Sequence, residues 1–364
     1  MKLNEQNILF FTRTMKLGGT ENVILQLCEI LQPKVNKIVV CSCGGVNVEN
    51  LNKMNIKHYQ IEDIENKSIF TFLTTAKRLK KIVKEENITV IHTHHRMAAF
   101  YVSLLRLYKQ CKFINTSHNT FTNKKILTRF SYKNASLITC GEMVKKNLVE
   151  VYKLPENQIT VIHNAVKPFD GKIISDPIIE KFHNEGMTVV GNIGRLSEQK
   201  GMKYFIEAAE ITYKLNKKVR FIIVGDGEKK EELQALVINK KLQNVVLFLG
   251  YRDDIQNLMI QLDFIVLSSL WEGLPLTPIE AYSGGKTVIG TAVDGTPEII
   301  CDGIDGFLIK PKDIIQLSER MNYLIENPKV RERLEVHAYR RYFDEFSFEK
   351  FVQRYLDFYK KLIY

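Results

Sequence analysis

Apolar residues follow two alternating rhythms along this chain. Short apolar or β-branched runs read as strands: Ile8–Phe11, Lys37–Cys41, Thr89–His92, Lys112–Thr116 and Leu137–Thr139. Between them lie longer stretches with helical spacing, such as Glu21–Leu31 and Phe72–Glu86. In the latter, Phe72, Leu73, Ala76, Leu79 and Val83 form an apolar stripe among Lys77, Arg78, Lys80, Lys81 and Lys84. The rhythm breaks over Val166–Pro177, which carries Pro168, Gly171 and Pro177. It then restarts with strand runs at Thr188–Ile193, Val219–Val224, Val245–Leu249, Phe264–Leu267 and Thr287–Gly290. Strands alternating with helices predict parallel sheets covered on both faces. The expectation is therefore α/β, with two doubly wound, Rossmann-like domains. Their expected bounds are 1–168 and 169–343, with an amphipathic, aromatic terminal helix in 344–364. Two such domains would face a deep cleft, and the carboxyl ends of their strands are where ligands bind.

Length and composition agree with this picture. A chain of 364 residues has room for two cores, and 45% hydrophobic with 26% charged residues is globular usage. No apolar run approaches the ~20 residues that span a bilayer. The run Ile8–Phe11 is too short for a signal-peptide core. The six cysteines are scattered, and the lone pair Cys41 and Cys43 reads as reduced thiols, not a metal site. The net charge of +11 is uneven. Residues 1–168 hold 25 Lys and Arg against 12 Asp and Glu, a balance of +13, and the remainder holds 27 against 29, a balance of −2. A basic face suits nucleic acid, an anionic membrane or anionic substrates. No basic–aromatic RNA motif, zinc finger or recognition-helix pattern accompanies it, which sets nucleic acid aside.

Five strand-end segments carry candidate chemistry. Gly18-Gly19-Thr20-Glu21 opens a helix, where glycines admit close backbone approach and the helix N-terminus favours anions. His92-Thr93-His94-His95 and Asn115-Thr116-Ser117-His118-Asn119 place imidazoles at strand ends, without a nearby carboxylate or Cys to complete a metal set. Gly194-Arg195-Leu196-Ser197-Glu198-Gln199-Lys200-Gly201 offers a guanidinium fork and a compact ammonium that can converge on one diphosphate. The last runs from Glu272 to Glu280 with Gly273, Pro275 and Pro278 between them. Its helix is predicted to begin near Thr277-Pro278, leaving Glu272 in the loop and Glu280 in the first turn. It is extended by Asp294-Gly295-Thr296-Pro297-Glu298.

Taken together and in this order, the five segments resemble the motifs of GT4-type retaining glycosyltransferases of the GT-B fold, over nearly the whole chain. That resemblance implies transfer of a sugar from a nucleotide-sugar to a hydroxyl with retention at the anomeric carbon. It makes UDP-linked donors the first expectation, with GDP and ADP as alternatives. It places Gly18 and Gly19 against the donor diphosphate, the His-x-His strand end along the cleft, and His118 near the sugar. Glu272 is implied to contact the donor sugar and Glu280 the ribose hydroxyls. Backbone N–H groups of Gly273 and Leu274 are expected to face the sugar and phosphates, and Tyr251 and Arg252 the base. Arg195, Lys200 and helix N-termini would stabilise the leaving diphosphate. No Asp-x-Asp motif serves a metal, so neither metal nor separate cofactor is expected. The terminal segment Phe346–Tyr364 is implied to cross back to the first domain.

Two departures stand out. Ala165 replaces a usual glycine, and Gly225-Asp226-Gly227 has Lys230 where a dinucleotide fingerprint has its third glycine, which disfavours a nicotinamide enzyme. A nucleotide-sugar 2-epimerase of the same fold stays open. So does a non-catalytic subunit, although Arg195, Lys200, Glu272 and Glu280 are all present. For the acceptor, Phe121–Ala135 interleaves Lys124, Lys125, Arg129 and Lys133 with Phe121, Ile126, Leu127, Phe130 and Tyr132. A basic amphipathic segment can lie on an anionic leaflet. The expectation is a peripheral enzyme at the cytoplasmic membrane face, acting on a lipid-linked glycan in cell-surface polysaccharide synthesis.

Overall fold

The computed structural model describes residues 2–66 and 68–363. The chain divides into two compact units, Met1–Asn164 with Phe351–Tyr364, and Ala165–Lys350. The first unit holds strands β1 (Asn7–Phe11), β2 (Lys37–Ser42), β3 (Lys57–Gln60), β4 (Val90–Thr93), β5 (Lys112–Ser117), β6 (Ser136–Thr139) and β7 (Ile159–Val161). Its helices are α1 (Gly19–Leu31), α2 (Val48–Lys53), α3 (Ile69–Glu85), α4 (Arg96–Leu104), α5 (Lys125–Tyr132) and α6 (Glu142–Glu150). The sheet order is β3-β2-β1-β4-β5-β6-β7 and its ladders are parallel.

The second unit holds β8 (Thr188–Ile193), β9 (Val219–Val224), β10 (Val246–Gly250), β11 (Phe264–Leu267), β12 (Val288–Thr291) and β13 (Gly306–Ile309). The order is β10-β9-β8-β11-β12-β13, again parallel. Its helices are α7 (Pro177–Asn184), α8 (Met202–Leu215), α9 (Lys230–Asn239), α10 (Ile255–Gln261), α11 (Leu276–Ser283), α12 (Thr296–Ile299), α13 (Ile314–Glu326) and α14 (Pro328–Arg341). The last helix, α15 (Phe348–Ile363), has Phe351, Tyr355 and Tyr359 buried, and from Phe351 it belongs to the first unit.

Both sheets are doubly wound. Central strands such as β1, β4 and β11 are buried along their length, because helices cover both faces. The sheets reverse direction of growth at β1/β4 and at β8/β11. Helices leave such neighbouring strands toward opposite faces, so a crevice opens between their carboxyl ends. Each unit has its own core, built around Leu9, Ile91 and Tyr101 in the first and Val190, Phe205 and Val266 in the second. Among the described residues, no helix is long and apolar enough to cross a membrane.

Three strands were not expected. The first-sheet edges β3 (Lys-His-Tyr-Gln) and β7 (Ile-Thr-Val) and the second-sheet edge β13 (Gly-Phe-Leu-Ile) are short. An edge strand is paired on one side only, so it needs neither length nor a continuous apolar run. Helix α11 also starts earlier than predicted. Pro275 precedes it, Thr277 lies inside it, and Glu280 falls in the second turn, not the first.

Candidate nucleotide-sugar site

The reversal point of the second sheet gathers the charged candidates. The loop after β8 is pressed against the loop after β11. Gly201 has φ +56°, and a Cβ there would lie 2.3 Å from the Ser268 carbonyl oxygen, so only glycine lets the chains approach this closely. Ser268 Oγ donates to the Lys200 carbonyl at 3.1 Å, and Asn192 Nδ2 donates to Ser268 Oγ at 3.0 Å. The Lys200 side chain thereby projects across the crevice, its Nζ 2.6 Å from Glu272 Oε1. Ser269 Oγ donates to the same carboxylate oxygen at 2.7 Å, and the Glu272 N–H donates to Asp294 Oδ2 at 2.7 Å. Glu272 is buried and braced on three sides, while its Oε2 takes no partner among the described residues.

Glu280 approaches the same ammonium from α11. Burial pushes its carboxyl up to about 7, with the Lys200 charge pulling the other way. Among the described residues its carboxyl oxygens have no hydrogen-bond partner. Arg195 is exposed, and its guanidinium takes no partner among the described residues. Nearby in the loop, Ser197 Oγ is buried without a partner. One ammonium thus lies between two carboxylates, with an open guanidinium and a spare hydroxyl on the same loop. The arrangement has donors for a diphosphate and acceptors for sugar and ribose hydroxyls.

Gly273 and Leu274 lie in the connecting loop. The Gly273 carbonyl accepts the Gly295 N–H at 3.0 Å, and a Cβ on Gly295 would fall 2.1 Å from it. Trp271, the chain's sole tryptophan, is half exposed beside Glu272, and its carbonyl accepts from Gln199 Nε2 at 3.0 Å. Gly225 and Gly227 pack on the Arg195 loop, whose Leu196 N–H donates to the Asp226 carbonyl at 3.0 Å. Glu298 lies in α12, where its carbonyl accepts from Arg341 Nη2. Ser269, Asn192, Gln199 and Ser268 were not singled out from sequence. They are ordinary polar residues: Ser269 bonds Glu272 three residues on, and the partners of Asn192, Gln199 and Ser268 lie far along the chain.

Tyr251 is exposed at the end of β10, while the Arg252 guanidinium is engaged by carboxylates of its own unit. Its Nε and Nη2 both reach the Asp254 carboxylate at 2.8 Å, and its Nη1 reaches Asp176 at 2.9 Å. With three of its donors committed, Arg252 fastens the β10 loop to the start of α7.

In the first unit, Gly18 is extended and Gly19 begins α1. Glu21 folds back onto them: its Oε1 accepts from Thr14 Oγ1 at 2.6 Å, and a Cβ on Gly18 would meet its Oε2. A carboxylate therefore already neighbours this helix N-terminus. His92 does not line an open surface as the resemblance implied. It is fully buried, with Nδ1 2.8 Å from the Tyr359 hydroxyl and Nε2 2.7 Å from Thr116 Oγ1. His94 is buried too, its Nδ1 3.0 Å from His118 Nε2, with its ring stacked on His118 and tilted against His92. Burial holds His118 down at about 4 and His94 well below its usual range, so both are neutral.

Neutrality decides which nitrogen carries a proton. His94 Nε2 is buried without a partner. A buried orphan N–H is the costlier state, so the favoured arrangement puts the His94 proton on Nδ1, donating to His118 Nε2. His118 then presents Nδ1–H outward, as a donor. Among the described residues, no three His, Cys, Asp or Glu side chains are placed to hold a metal.

Two doubly wound parallel α/β units, each with its own reversal point, define the fold class of the GT-B proteins. Residues 176–341 match the family described as glycosyl transferases group 1, and residues 17–168 match Glycosyltransferase Family 4. An Escherichia coli UDP-Gal:alpha-D-GlcNAc-diphosphoundecaprenol alpha-1,3-galactosyltransferase is 30% identical over 320 residues, 82% of each chain. N-acetyl-alpha-D-glucosaminyl L-malate synthase of Bacillus anthracis is 24% identical over 325 residues, 84% of each. The Anabaena protein Alr3699/HepE in complex with UDP superposes with a TM-score of 0.83 at 20% identity, covering 98% of this chain and 100% of that one. The chain belongs to the glycosyl transferases group 1 family. It is a glycosyltransferase of the GT-B fold.

Proposed function

We propose that the protein moves a sugar from a UDP-linked donor to a hydroxyl of a lipid-linked glycan, retaining the anomeric configuration and using no metal. The observation that carries this reading is the triad of Lys200, Glu272 and Glu280 at the reversal point of the second sheet, with Arg195 open beside it. In the proposed reaction the bond from the anomeric carbon to the diphosphate oxygen breaks. The bond from that carbon to the acceptor oxygen forms, and the acceptor proton passes to the departing diphosphate. Arg195 and Lys200 balance the charge gathering on the diphosphate. Glu272, freed from part of its pairing with Lys200, accepts from sugar hydroxyls, and Glu280 accepts from the ribose. His118 donates through Nδ1–H to the sugar. Gly18, Gly19, Gly273, Leu274 and Tyr251 complete the donor contacts.

For the donor, the UDP named for both the E. coli relative and the Anabaena structure supports uridine. For the acceptor, the two relatives differ, one naming a diphosphoundecaprenol and the other malate. The basic first half favours the former. Lys124, Lys125, Arg129 and Lys133 lie on or beside α5, all four without an anionic partner among the described residues, and Ile126 next to them is 88% exposed. That combination suits a peripheral place on an anionic leaflet. The test of the donor reading is Trp271 fluorescence during titration with UDP-, GDP- and ADP-sugars. UDP-sugars should quench it, and Arg195→Ala should weaken that response at least tenfold. A response indifferent to Arg195→Ala removes this loop from the diphosphate site. Binding to anionic vesicles at low salt tests the membrane contact, and its absence refutes it.

A further inference from the structure

Helices α3, α4 and α5 all leave the carboxyl edge of the first sheet, and their first turns enclose a pocket of ≈ 500 Å³. Ile64, Ile69, Phe72, Met97, Tyr101 and Leu127 give it apolar walls, and Glu65, Asn66 and Ser68 give it one polar side, where the Glu65 carboxylate is paired with Arg13 at 2.7 Å. The floor is fixed, since Ile64 and Tyr101 are buried and Phe72 stacks on Tyr101 at 5.3 Å. The volume is in the range that holds small organic ligands. None of these side chains is among the donor contacts proposed above.

The helices beside it carry large apolar side chains in water. Ile69, which lines the pocket, is 77% exposed, and Phe70 and Leu73 on α3 and Ile126 on α5 are 72%, 60% and 88% exposed. Large apolar side chains left in water mark a surface that meets something apolar. Cations lie on the same helices. Lys124 lines the pocket, and Lys125 and Arg129 on α5 and Lys77 on α3 are exposed without anionic partners among the described residues. The pocket also connects to the candidate acceptor side. Met97 in its wall follows Arg96, whose Nη1 donates to Asn123 Oδ1 at 3.0 Å. Asn123 lies in the loop that runs from His118 to Lys124.

We propose that this pocket holds the first isoprene units of a prenyl-phosphate-linked acceptor, an inference that rests on the lipid-linked reading above. An isoprenoid arm needs an apolar slot next to the bilayer, and its phosphate needs cations at the slot's rim. Lys124 and Arg96 supply the latter, and Ile69, Phe70, Leu73 and Ile126 enter the leaflet around it. The sugar beyond the phosphate is then directed along the 118–124 loop toward His118.

The test compares farnesyl diphosphate with isopentenyl diphosphate by calorimetry on the full chain. They share a head group and differ in arm length. Farnesyl diphosphate should bind at least tenfold tighter. Filling the pocket with Met97→Phe and Leu127→Phe together should remove that advantage, leaving isopentenyl diphosphate binding and the Trp271 response to UDP-sugars unchanged. Equal affinity for the two probes, or an arm-length preference that survives the filled pocket, overturns the inference. Benzophenone-tagged farnesyl diphosphate should cross-link near Met97 or Leu127. Cross-linking elsewhere, or of a second copy of this chain at Ile126, also overturns it. The wider reading fails differently. If wild-type protein transfers sugar to no prenyl-diphosphate-linked acceptor, the lipid-linked reading falls, whatever the binding series gives. Phe70→Asp with Ile126→Asp should abolish vesicle binding while sparing farnesyl diphosphate, separating bilayer from pocket.

Discussion

Replacing Lys200 with Met should separate what this residue does for the fold from what it does for the donor. Its ammonium is 2.6 Å from Glu272, with the side chains 18% and 7% exposed. Removing one partner of a fully buried pair costs about 3–5 kcal/mol, because the other charge is left uncompensated. Here the crevice admits some water and Ser269 Oγ still donates to Glu272, so about 2–3 kcal/mol is the reasoned figure. For a unit the size of Ala165–Lys350 that corresponds to a loss of about 4–12 °C in Tm. Glu272→Gln added to Lys200→Met removes the stranded charge, and the double variant should regain most of the loss, to within about 1 kcal/mol.

Donor affinity should behave in the opposite way. Lys200→Met loses a charge-assisted contact to the diphosphate, worth about 1.5–3 kcal/mol, and the double variant also loses an acceptor for the sugar. Thermal unfolding followed by Trp271, which lies in the second unit, measures the first quantity. Titration with UDP-glucose measures the second. Stability recovered without affinity is the expected outcome. A Lys200→Met protein as stable as wild type, or a double variant less stable than the single, would refute the argument that this pair is buried enough to matter.

Other outcomes follow from single groups. Glu280 holds its proton up to about 7 in the free protein, above its ordinary 4.5, so this group's contribution to stability falls as pH rises from 4.5 to 7. A ribose hydroxyl prefers the ionised form, so UDP-glucose affinity should rise from pH 6 to pH 8, and Glu280→Gln should flatten that slope in fluorescence titrations. His94→Phe keeps the stacking but removes the donor to His118; nitrogen chemical shifts should then show His118 as a tautomer mixture, and kcat should fall with KM for the donor changing less. Persistence of a single His118 tautomer would refute the assignment. Gly201→Ala at φ +56° adds about 1–2 kcal/mol of backbone strain to a 2.3 Å clash with Ser268, and should lower Tm and donor affinity together in the same melting and titration assays. Arg195→Ala should leave Tm within about 1 °C, because the guanidinium has no protein partner to lose.

What could be read in the sequence depended on how far apart the partners stand. The parallel sheets were legible because a strand buried on both faces declares itself locally, as Phe264–Leu267 does. The edges β3, β7 and β13 were not, because a strand paired on one side is under no such demand. The span from Glu272 to Glu280 was legible as chemistry because glycine, prolines and carboxylates are packed into one string. The helix start within it was misplaced, since Thr277 offers a cap that the backbone does not use.

Roles set by distant partners were the least legible. Arg252 looks like a ligand-binding cation at a strand end, yet Asp176, 76 residues earlier, claims one of its donors. Lys200 meets Glu272 across 72 residues only because β8 and β11 are neighbours at the sheet's reversal. His92 reads as half of a His-x-His pair until Tyr359, 267 residues later, takes its Nδ1. The same topology explains both the successes and the errors. A doubly wound sheet brings loops together from strands that are remote in sequence, so a cation at one strand end meets whichever carboxylate the strand order delivers. Arg195 was delivered none, and Arg252 was delivered two. That difference, invisible in their local sequences, is the physical ground for proposing Arg195 as the diphosphate cation while Arg252 braces the β10 loop.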